Sequence, residues 1–175
     1  MMRATTLEDG DSTRALAEDS PPPQFIMQRF TRLPYALFRV QRRLPVALRD
    51  HDEQMAQGRT SFDLKSVNGI VHPMEGDKFH TPNGMSLRPI SFTQLKLTNA
   101  FKGDFRIYEL AEGLELPAGL VAIHEHSDHF SLQVTEPTAL VDFNLKLTAL
   151  LKSSPSFTKQ EHLEFLEDCL LDQDN

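Results

Sequence analysis

The chain has 175 residues, of which 39% are hydrophobic and 25% are charged, and this composition suits a single globular domain. No apolar run approaches the roughly 18–20 residues that a membrane span needs, so the sequence does not predict an integral membrane protein. The single cysteine, Cys169, excludes disulfide-stapled folds and multi-cysteine metal sites. The net charge is −7, but residues 25–60 hold seven arginines against three acidic residues. The acidic body argues against a general nucleic-acid binder and leaves local binding of a phosphorylated ligand open.

Composition divides the chain into three parts. Residues 1–24 are polar and acidic and end in three consecutive prolines, which predicts a disordered or extended leader. Its first twenty residues have neither an apolar core nor a basic amphipathic face, so we expect no signal or transit peptide and a cytoplasmic location. Residues 25–152 are expected to form the main domain, and residues 153–175 a C-terminal helical segment.

Short apolar or alternating segments predict the strands of the main domain. Residues 35–41, 105–110 and 120–123 are rich in β-forming side chains. Residues 129–135 alternate strictly between polar and apolar side chains. The apolar ones are Phe130, Leu132 and Val134, and the polar ones are His129, Ser131, Gln133 and Thr135. We expect the apolar face to be buried, and the polar face either to line a cleft or to face solvent.

Two helices are predicted at the C-terminal end. Leucines and a phenylalanine at helical spacing predict a helix over residues 138–152. A second helix over about 158–171 begins at a capping box formed by Thr158 and Glu161. Strands followed by this helix pair indicate an α+β fold.

The densest turn signals lie in residues 80–89. The pair Asn83-Gly84 tolerates positive φ, so the sequence predicts a tight turn there. The backbone N–H groups of such a turn, with the Ser86 hydroxyl and the Arg88 charge beside them, suit an anion. A plain turn and a phosphate-binding loop both stay open at this point.

Residues 124–129 read His-Glu-His-Ser-Asp-His, a string with two interpretations. As H-x-H-x-D-H it matches the zinc-binding pattern of metallo-β-lactamase-fold hydrolases. Such a site needs further ligands from later strands, but the only histidine after His129 is His162, in a predicted helix. A hairpin with its tip at Ser127-Asp128 explains the string more simply. We therefore expect no stoichiometric zinc.

Three blocks, in this order, resemble one protein family. They are Phe38-Arg39-Val40, Pro-Asn-Gly-Met-Ser-Leu-Arg-Pro at 82–89, and Asp-His-Phe-Ser-Leu-Gln at 128–133. The family is that of the small NAD-dependent cytotoxin delivered by bacterial type VI secretion, and its fungal homologues are the most similar branch. The resemblance covers roughly residues 30–152. It implies an ADP-ribosyltransferase-like fold, a split and curved β-core with flanking helices, whose cleft holds NAD.

The resemblance also implies roles for individual residues. Arg39 takes the place of the first-strand residue that grips the phosphates or the nicotinamide ribose, and Ser86 that of the residue that supports the ring. His129 supplies the catalytic polar group, with Ser131 and Gln133 on the same strand face. The residues expected to be catalytic are Ser86, His129 and Gln133. Those expected to bind NAD are Arg39, Asn83, Gly84, Arg88 and Ser131.

The late strand departs from the family pattern because its polar face has no carboxylate. Many ADP-ribosyltransferases carry a glutamate there; Gln133 could replace its hydrogen bond but not its charge, and Glu125 and Asp128 lie on the neighbouring hairpin. The expected function is mono-ADP-ribosyl transfer or NAD hydrolysis, with an intracellular target, an immunity protein as a further partner, and no metal. The alternatives are a non-catalytic nucleotide-binding module on the same fold and a zinc hydrolase.

Overall fold

The structure is a computed structural model that describes residues 27–171. The predicted leader, residues 1–24, lies outside the described residues. The strands are β1 (Gln28–Phe30), β2 (Leu37–Gln41), β3 (Ile70–Val71), β4 (Met85–Leu87), β5 (Arg106–Leu110), β6 (Leu120–His126), β7 (His129–Val134), β8 (Thr138–Ala139) and β9 (Ser156–Phe157). The helices are α1 (His51–Ala56), α2 (Phe92–Ala100), α3 (Leu140–Lys152) and α4 (Lys159–Leu171).

The strands form two main antiparallel sheets and one small one. A four-stranded sheet has the order β1-β6-β7-β4, a three-stranded sheet the order β2-β5-β9, and β3 pairs with β8. The sheets combine with helices in a mixed order along the chain, so the predicted α+β class is confirmed. No helix among residues 27–171 is long and apolar enough to cross a membrane.

Two backbone hydrogen bonds join the two main sheets where β2 meets the end of β4. The N–H of Phe38 donates to the carbonyl of Arg88 at 2.7 Å, and the N–H of Arg88 donates back to Phe38 at 3.1 Å. This pairing is an isolated antiparallel bridge, because the strands do not continue alongside each other. The bridge brings β2, which carries Arg39, against β4, which carries Ser86.

The main core lies on the apolar face of β7. Phe130, Leu132 and Val134 are all at most 2% exposed, as the alternation predicted. They belong to one hydrophobic cluster with Phe143 and Leu147 of α3. The apolar stripe of α3 therefore holds this helix against the four-stranded sheet, and the predicted helix over 138–152 is confirmed with a start two residues later.

The capping box of α4 is confirmed. The N–H of Thr158 donates to Oε2 of Glu161 at 2.7 Å, and the N–H of Glu161 donates to the Thr158 hydroxyl at 3.2 Å. The helix then buries His162, whose ring centroid lies 4.9 Å from that of Phe38. Burial lowers the pKa of His162 from 6.5 to about 4.

The predicted tight turn at Asn83-Gly84 is wrong: the backbone of residues 81–84 forms no hydrogen-bonded turn, and neither Asn83 nor Gly84 has positive φ. Gly84 instead leads into β4 under the backbone of β7, where a Cβ atom would lie 2.0 Å from the carbonyl oxygen of Leu132. Its N–H donates to the carbonyl of Asp63 at 2.9 Å and is not turned toward a ligand. Glycine is therefore needed here for a close approach of two backbones.

The predicted hairpin tip at Ser127-Asp128 is confirmed: His126 pairs with His129, and Ser127 has a φ of 46°. Immediately before the tip the register shifts between His124 and His126, which leaves Glu125 as an extra residue in a β-bulge.

We predict that Gly84→Ala lowers the free energy of unfolding by about 1–3 kcal/mol, because the added methyl group meets backbone atoms that cannot move aside freely. Urea unfolding of the purified chain measures the change. Thr81→Ala, at an exposed position three residues earlier, is the control and should stay close to wild type. Equal stability of Gly84→Ala and wild type would contradict the close approach.

A second prediction concerns pH and His162. Because burial holds its pKa near 4 in the folded state and the unfolded value is about 6.5, the unfolded state takes up the proton first as the pH falls. Stability contributed by the neutral ring is present above pH 6.5 and is lost between pH 6.5 and about 4.

His162→Phe keeps a ring in the aromatic cluster and removes this titration. Urea unfolding at pH 7.5 and at pH 4.5 should show a smaller loss of stability for the variant than for wild type. The same loss in both proteins would show that His162 does not titrate as described. His80→Ala, an exposed histidine, serves as the control and should keep the wild-type difference.

Candidate functional site

Two strand contacts bring three of the expected site residues together. Ser86 of β4 lies directly opposite Ser131 of β7 in the antiparallel register, so both side chains share one face of the sheet. Nη1 of Arg39 donates to the carbonyl oxygen of Ser86 at 3.2 Å. The edge of β4 therefore connects Arg39, from the other sheet, with the polar face of β7.

A small cavity of about 100 Å³ lies where β2 and β4 meet α2. Its lining includes the expected site residues Arg39, Ser86 and Arg88, together with Gln94 and Phe101. Three polar or charged side chains from two sheets thus converge on one place. The cavity has room for part of a nucleotide and not for a whole one.

A larger cleft of about 470 Å³ adjoins this cavity and shares Arg39 and Phe101 with it. We call it the arginine cleft, because five arginines line it. They are Arg39, Arg42, Arg43, Arg49 and Arg59. One acidic side chain, that of Asp63, is also part of the lining. Although the chain as a whole is acidic, these guanidinium groups create a local region of positive electrostatic potential that suits an anion.

Asp63 holds one of these arginines in place. Its two carboxylate oxygens accept from Nε and Nη2 of Arg49 at 2.9 and 2.8 Å, and Oδ2 also accepts from the Arg49 backbone N–H. Burial acts to raise the pKa of Asp63, but the hydrogen bonds and charge of Arg49 outweigh it and leave that pKa below its usual range. The bidentate contact fixes the Arg49 guanidinium at the wall of the cleft.

Arg39 is the most enclosed of the five arginines. Burial lowers its pKa, while the nearby Asp63 carboxylate acts in the opposite direction. Its Nε donates to Oε1 of Gln41 at 3.0 Å, so the side chain is anchored at both ends of the guanidinium. A half-buried guanidinium next to a cavity is a favourable partner for an anionic ligand, since less water competes for it than at an exposed position.

The polar face of β7 is covered, so it neither faces solvent nor lines an open cleft. Ser131 is 2% exposed and Gln133 is fully buried. Both donate to Oε1 of the fully buried Glu125, the hydroxyl at 2.6 Å and the Gln133 amide at 3.1 Å. The amide of Asn83 bonds Oε1 of Gln133 at 3.2 Å and so extends the network to the loop before β4.

His129 lies at the end of this network. Its Nδ1 is 2.6 Å from Oε2 of Glu125, and its side chain is 13% exposed. Because Nδ1 itself is buried, that exposure belongs to other atoms of the ring. The ring also stacks on His126, with 5.0 Å between centroids. Burial, followed by the neighbouring His129, lowers the pKa of His126.

Asp128 forms a separate contact at the hairpin tip. It pairs with Nη1 of Arg88 and accepts a hydrogen bond of 2.6 Å from the Ser91 hydroxyl. Burial acts to raise the pKa of Asp128, but the Ser91 hydrogen bond and the Arg88 charge outweigh it and lower that pKa. Ser91 is also the N-cap of α2, so this contact ties the helix that closes the small cavity to the hairpin.

The structure thus sorts the expected site residues into two adjoining groups. Arg39, Ser86 and Arg88 line the small cavity. Asn83, Ser131, Gln133 and His129 belong to the buried network around Glu125. Gly84 serves backbone packing. Among the residues that line the two cavities described above, His129 does not occur.

Glu125 is the site residue that sequence reasoning did not place. A regular two-residue hairpin would set it opposite Phe130, on the apolar face. The bulge instead sets His124 opposite Phe130 and turns Glu125 to the polar face. The only signal in the sequence is an acidic residue directly after a buried apolar run, which does not reveal the bulge.

A model of the Tse2 ADP-ribosyltransferase toxin family matches residues 35–163, about three quarters of the chain. The chain belongs to this family. No curated protein and no solved structure matches it. Two joined antiparallel sheets flanked by four helices in residues 27–171 agree with an ADP-ribosyltransferase-like toxin domain. The resemblance seen in the three sequence blocks is thereby confirmed at the level of the toxin family.

Proposed function

We propose that this member of the Tse2 family consumes NAD, as a mono-ADP-ribosyltransferase or an NAD glycohydrolase that acts inside a target cell. The observation that carries the proposal is the contact of Arg39 with the strand of Ser86, at the junction of the small cavity and the arginine cleft. This arrangement offers a place for a bound diphosphate beside a small, largely apolar cavity that Ser86 and Arg88 also line.

In this proposal the diphosphate of NAD lies against Arg39 and the arginine cleft. Arg39 and Arg49 are held in fixed orientations by protein contacts, so the diphosphate meets their remaining N–H groups together with the exposed guanidinium groups of the cleft. The nicotinamide ribose then points toward Ser86, whose hydroxyl supports the sugar or the ring. The volume of the cleft, about 470 Å³, suits part of a dinucleotide.

Cleavage of the nicotinamide–ribose bond develops positive charge on the ribose, so groups that hold the sugar in place and stabilise that charge accelerate it. We assign His129 to holding the sugar through the exposed atoms of its ring, while the Glu125 carboxylate behind its Nδ1 supplies negative charge. Ser131 and Gln133 contribute by holding the Glu125 carboxylate, while Asn83 fixes Gln133. Arg88, paired with Asp128, stays at the rim of the small cavity.

The same proposal includes the finer expectations from the sequence. The chain belongs with the fungal branch of the toxin family, its acceptor is a molecule inside the target cell, and a dedicated immunity protein blocks it. The similarity of residues 82–89 and 128–133 to that branch supports the first of these.

A non-catalytic nucleotide-binding module is the second candidate. It is favoured by one observation: Glu125, the carboxylate nearest to His129, is fully buried and engaged by Ser131 and Gln133. Both candidates bind NAD, but only the first releases nicotinamide. Incubation of pure protein with NAD⁺, followed by chromatography for nicotinamide, separates them.

We predict that Ser86→Ala and His129→Ala each lower the rate of nicotinamide release about 10²–10³-fold, the cost of removing one preorganised group that stabilises a transition state. Toxicity on expression in a susceptible cell should fall with the rate. Thr135→Ala is the matched control, since this exposed residue follows the same alternation at the far end of β7.

Thermal melts of each variant show whether the fold is retained. Full activity in both Ser86→Ala and His129→Ala, at unchanged melting temperature, would contradict the proposed active site. Absence of nicotinamide release from wild type, with NAD binding retained, would favour the non-catalytic module.

We also predict that Arg39→Ala and Arg43→Ala act mainly on binding. Loss of one charge-assisted hydrogen bond to phosphate should raise the KM for NAD about tenfold to hundredfold, with a smaller change in kcat. Arg32→Ala is the control, because this arginine pairs with Glu115 away from the cleft. A KM for both cleft variants equal to that of Arg32→Ala would contradict phosphate binding in the arginine cleft.

A further inference from the structure

The bulge before the hairpin tip gathers three donor side chains on one side of the sheet. Adjacent residues of a regular strand point to opposite faces, but the register shift lets Glu125 and His126 share a face. His129 is the cross-strand partner of His126 and completes the group. One carboxylate oxygen and one nitrogen from each imidazole all lie within 4.8 Å of one another.

Two of these donor atoms already pair with each other in the protein interior. Oε2 of Glu125 and Nδ1 of His129 are buried and lie 2.6 Å apart, and within the described part of the chain neither has another polar partner. The pair shares one proton between a carboxylate and an imidazole, which are also groups that bind transition-metal ions. A metal ion can replace that proton, since such ligands bind metal in their deprotonated form.

The Glu125 carboxylate is also oriented by hydrogen bonds, as carboxylates that bind metal ions are. Its other oxygen, Oε1, accepts from Ser131 at 2.6 Å and from Gln133 at 3.1 Å, which leaves Oε2 directed at the histidines. Hydrogen bonds to the outer oxygen of a ligating carboxylate orient it and are a regular feature of metal sites. Both hydrogen-bond donors are buried side chains of β7 and not flexible side chains at the surface.

We propose that Glu125, His126 and His129 form a binding site for a divalent transition-metal ion, and that Zn²⁺ is the ion this set of two imidazoles and one carboxylate fits. This proposal departs from the sequence-based expectation of no stoichiometric zinc, because the bulge supplies a ligand, Glu125, that the hydrolase pattern of residues 124–129 does not include. Asp128 of that pattern is paired with Arg88 and Ser91, and the ring of His124 stacks on Phe130 at 4.2 Å. Three protein ligands leave a fourth position of a tetrahedral ion open to water or another ligand.

Metal binding at this site would regulate the reaction with NAD. This regulatory role rests on the proposed function, whereas the metal site itself does not. An ion on His129 engages the side chain that the NAD reaction requires. Zn²⁺ therefore acts as an inhibitor of NAD turnover, and the metal-free protein is the active form.

The test uses the full chain, stripped of metal with a chelator and titrated with ZnCl₂ by isothermal calorimetry at pH 7.5. One ion per chain is expected. Glu125→Gln and His126→Ala should each weaken the affinity at least about tenfold, and Ser131→Ala, which loosens the carboxylate, about 10–100-fold. His80→Ala, an exposed histidine outside the cluster, is the matched control and should bind as wild type does. Circular dichroism melts confirm the fold of each variant.

Weak binding at several ions per chain, or equal affinity in wild type, Glu125→Gln and His126→Ala, would mean an adventitious ion only and would overturn the site. Nicotinamide release is then measured with and without Zn²⁺. Inhibition that disappears in His126→Ala supports the regulatory role, whereas undiminished release at saturating Zn²⁺ overturns it. Absence of release under both conditions counts against the proposed function, and the calorimetric result still decides the metal site.

Discussion

A fully buried carboxylate is the constraint around which this site is built. Glu125 is removed from water, so its charge has to be met by nearby donors. Ser131 and Gln133 supply hydrogen bonds to one oxygen, and the imidazole of His129 lies against the other. These contacts explain why a strand with polar side chains on one face is buried on both sides. They also fix the orientation of the His129 ring, on which both the proposed NAD chemistry and the proposed metal site depend.

The second determinant of the site is the junction of the two sheets. The paired hydrogen bonds between Phe38 and Arg88 hold β2 against β4 although the two strands belong to different sheets. Only this junction lets Arg39 reach the carbonyl of Ser86. The junction of the two sheets thus brings the Arg39 guanidinium of one sheet to the strand of the other sheet that carries Ser86.

Charge is distributed to suit such a site. The chain as a whole carries −7, and yet five arginines line one cleft with a single aspartate among them. Asp63 lowers the cost of crowding these cations by pairing with Arg49, and it keeps that guanidinium in place. The cleft is therefore a local region of positive potential in a chain whose net charge is negative.

The sequence by itself determined the fold class and the elements that have a regular apolar pattern. Alternation in residues 129–135 and helical spacing in residues 138–152 each place apolar side chains against the core, and β7 and α3 form where that spacing predicts. The short strands β1, β3, β4, β8 and β9 and the helices α1 and α2 have no such pattern and are not predicted from the sequence. Tertiary structure decided which side chains the polar face of β7 contacts. A one-residue bulge moved Glu125 to that face, and periodicity carries no information about such a shift.

The pair Asn83-Gly84 likewise predicts a turn from the sequence alone. The structure shows that glycine is needed there because the β7 backbone approaches closely. The convergence of Arg39, Arg49 and Arg59 on one cleft depends on how distant segments pack, which local spacing does not specify.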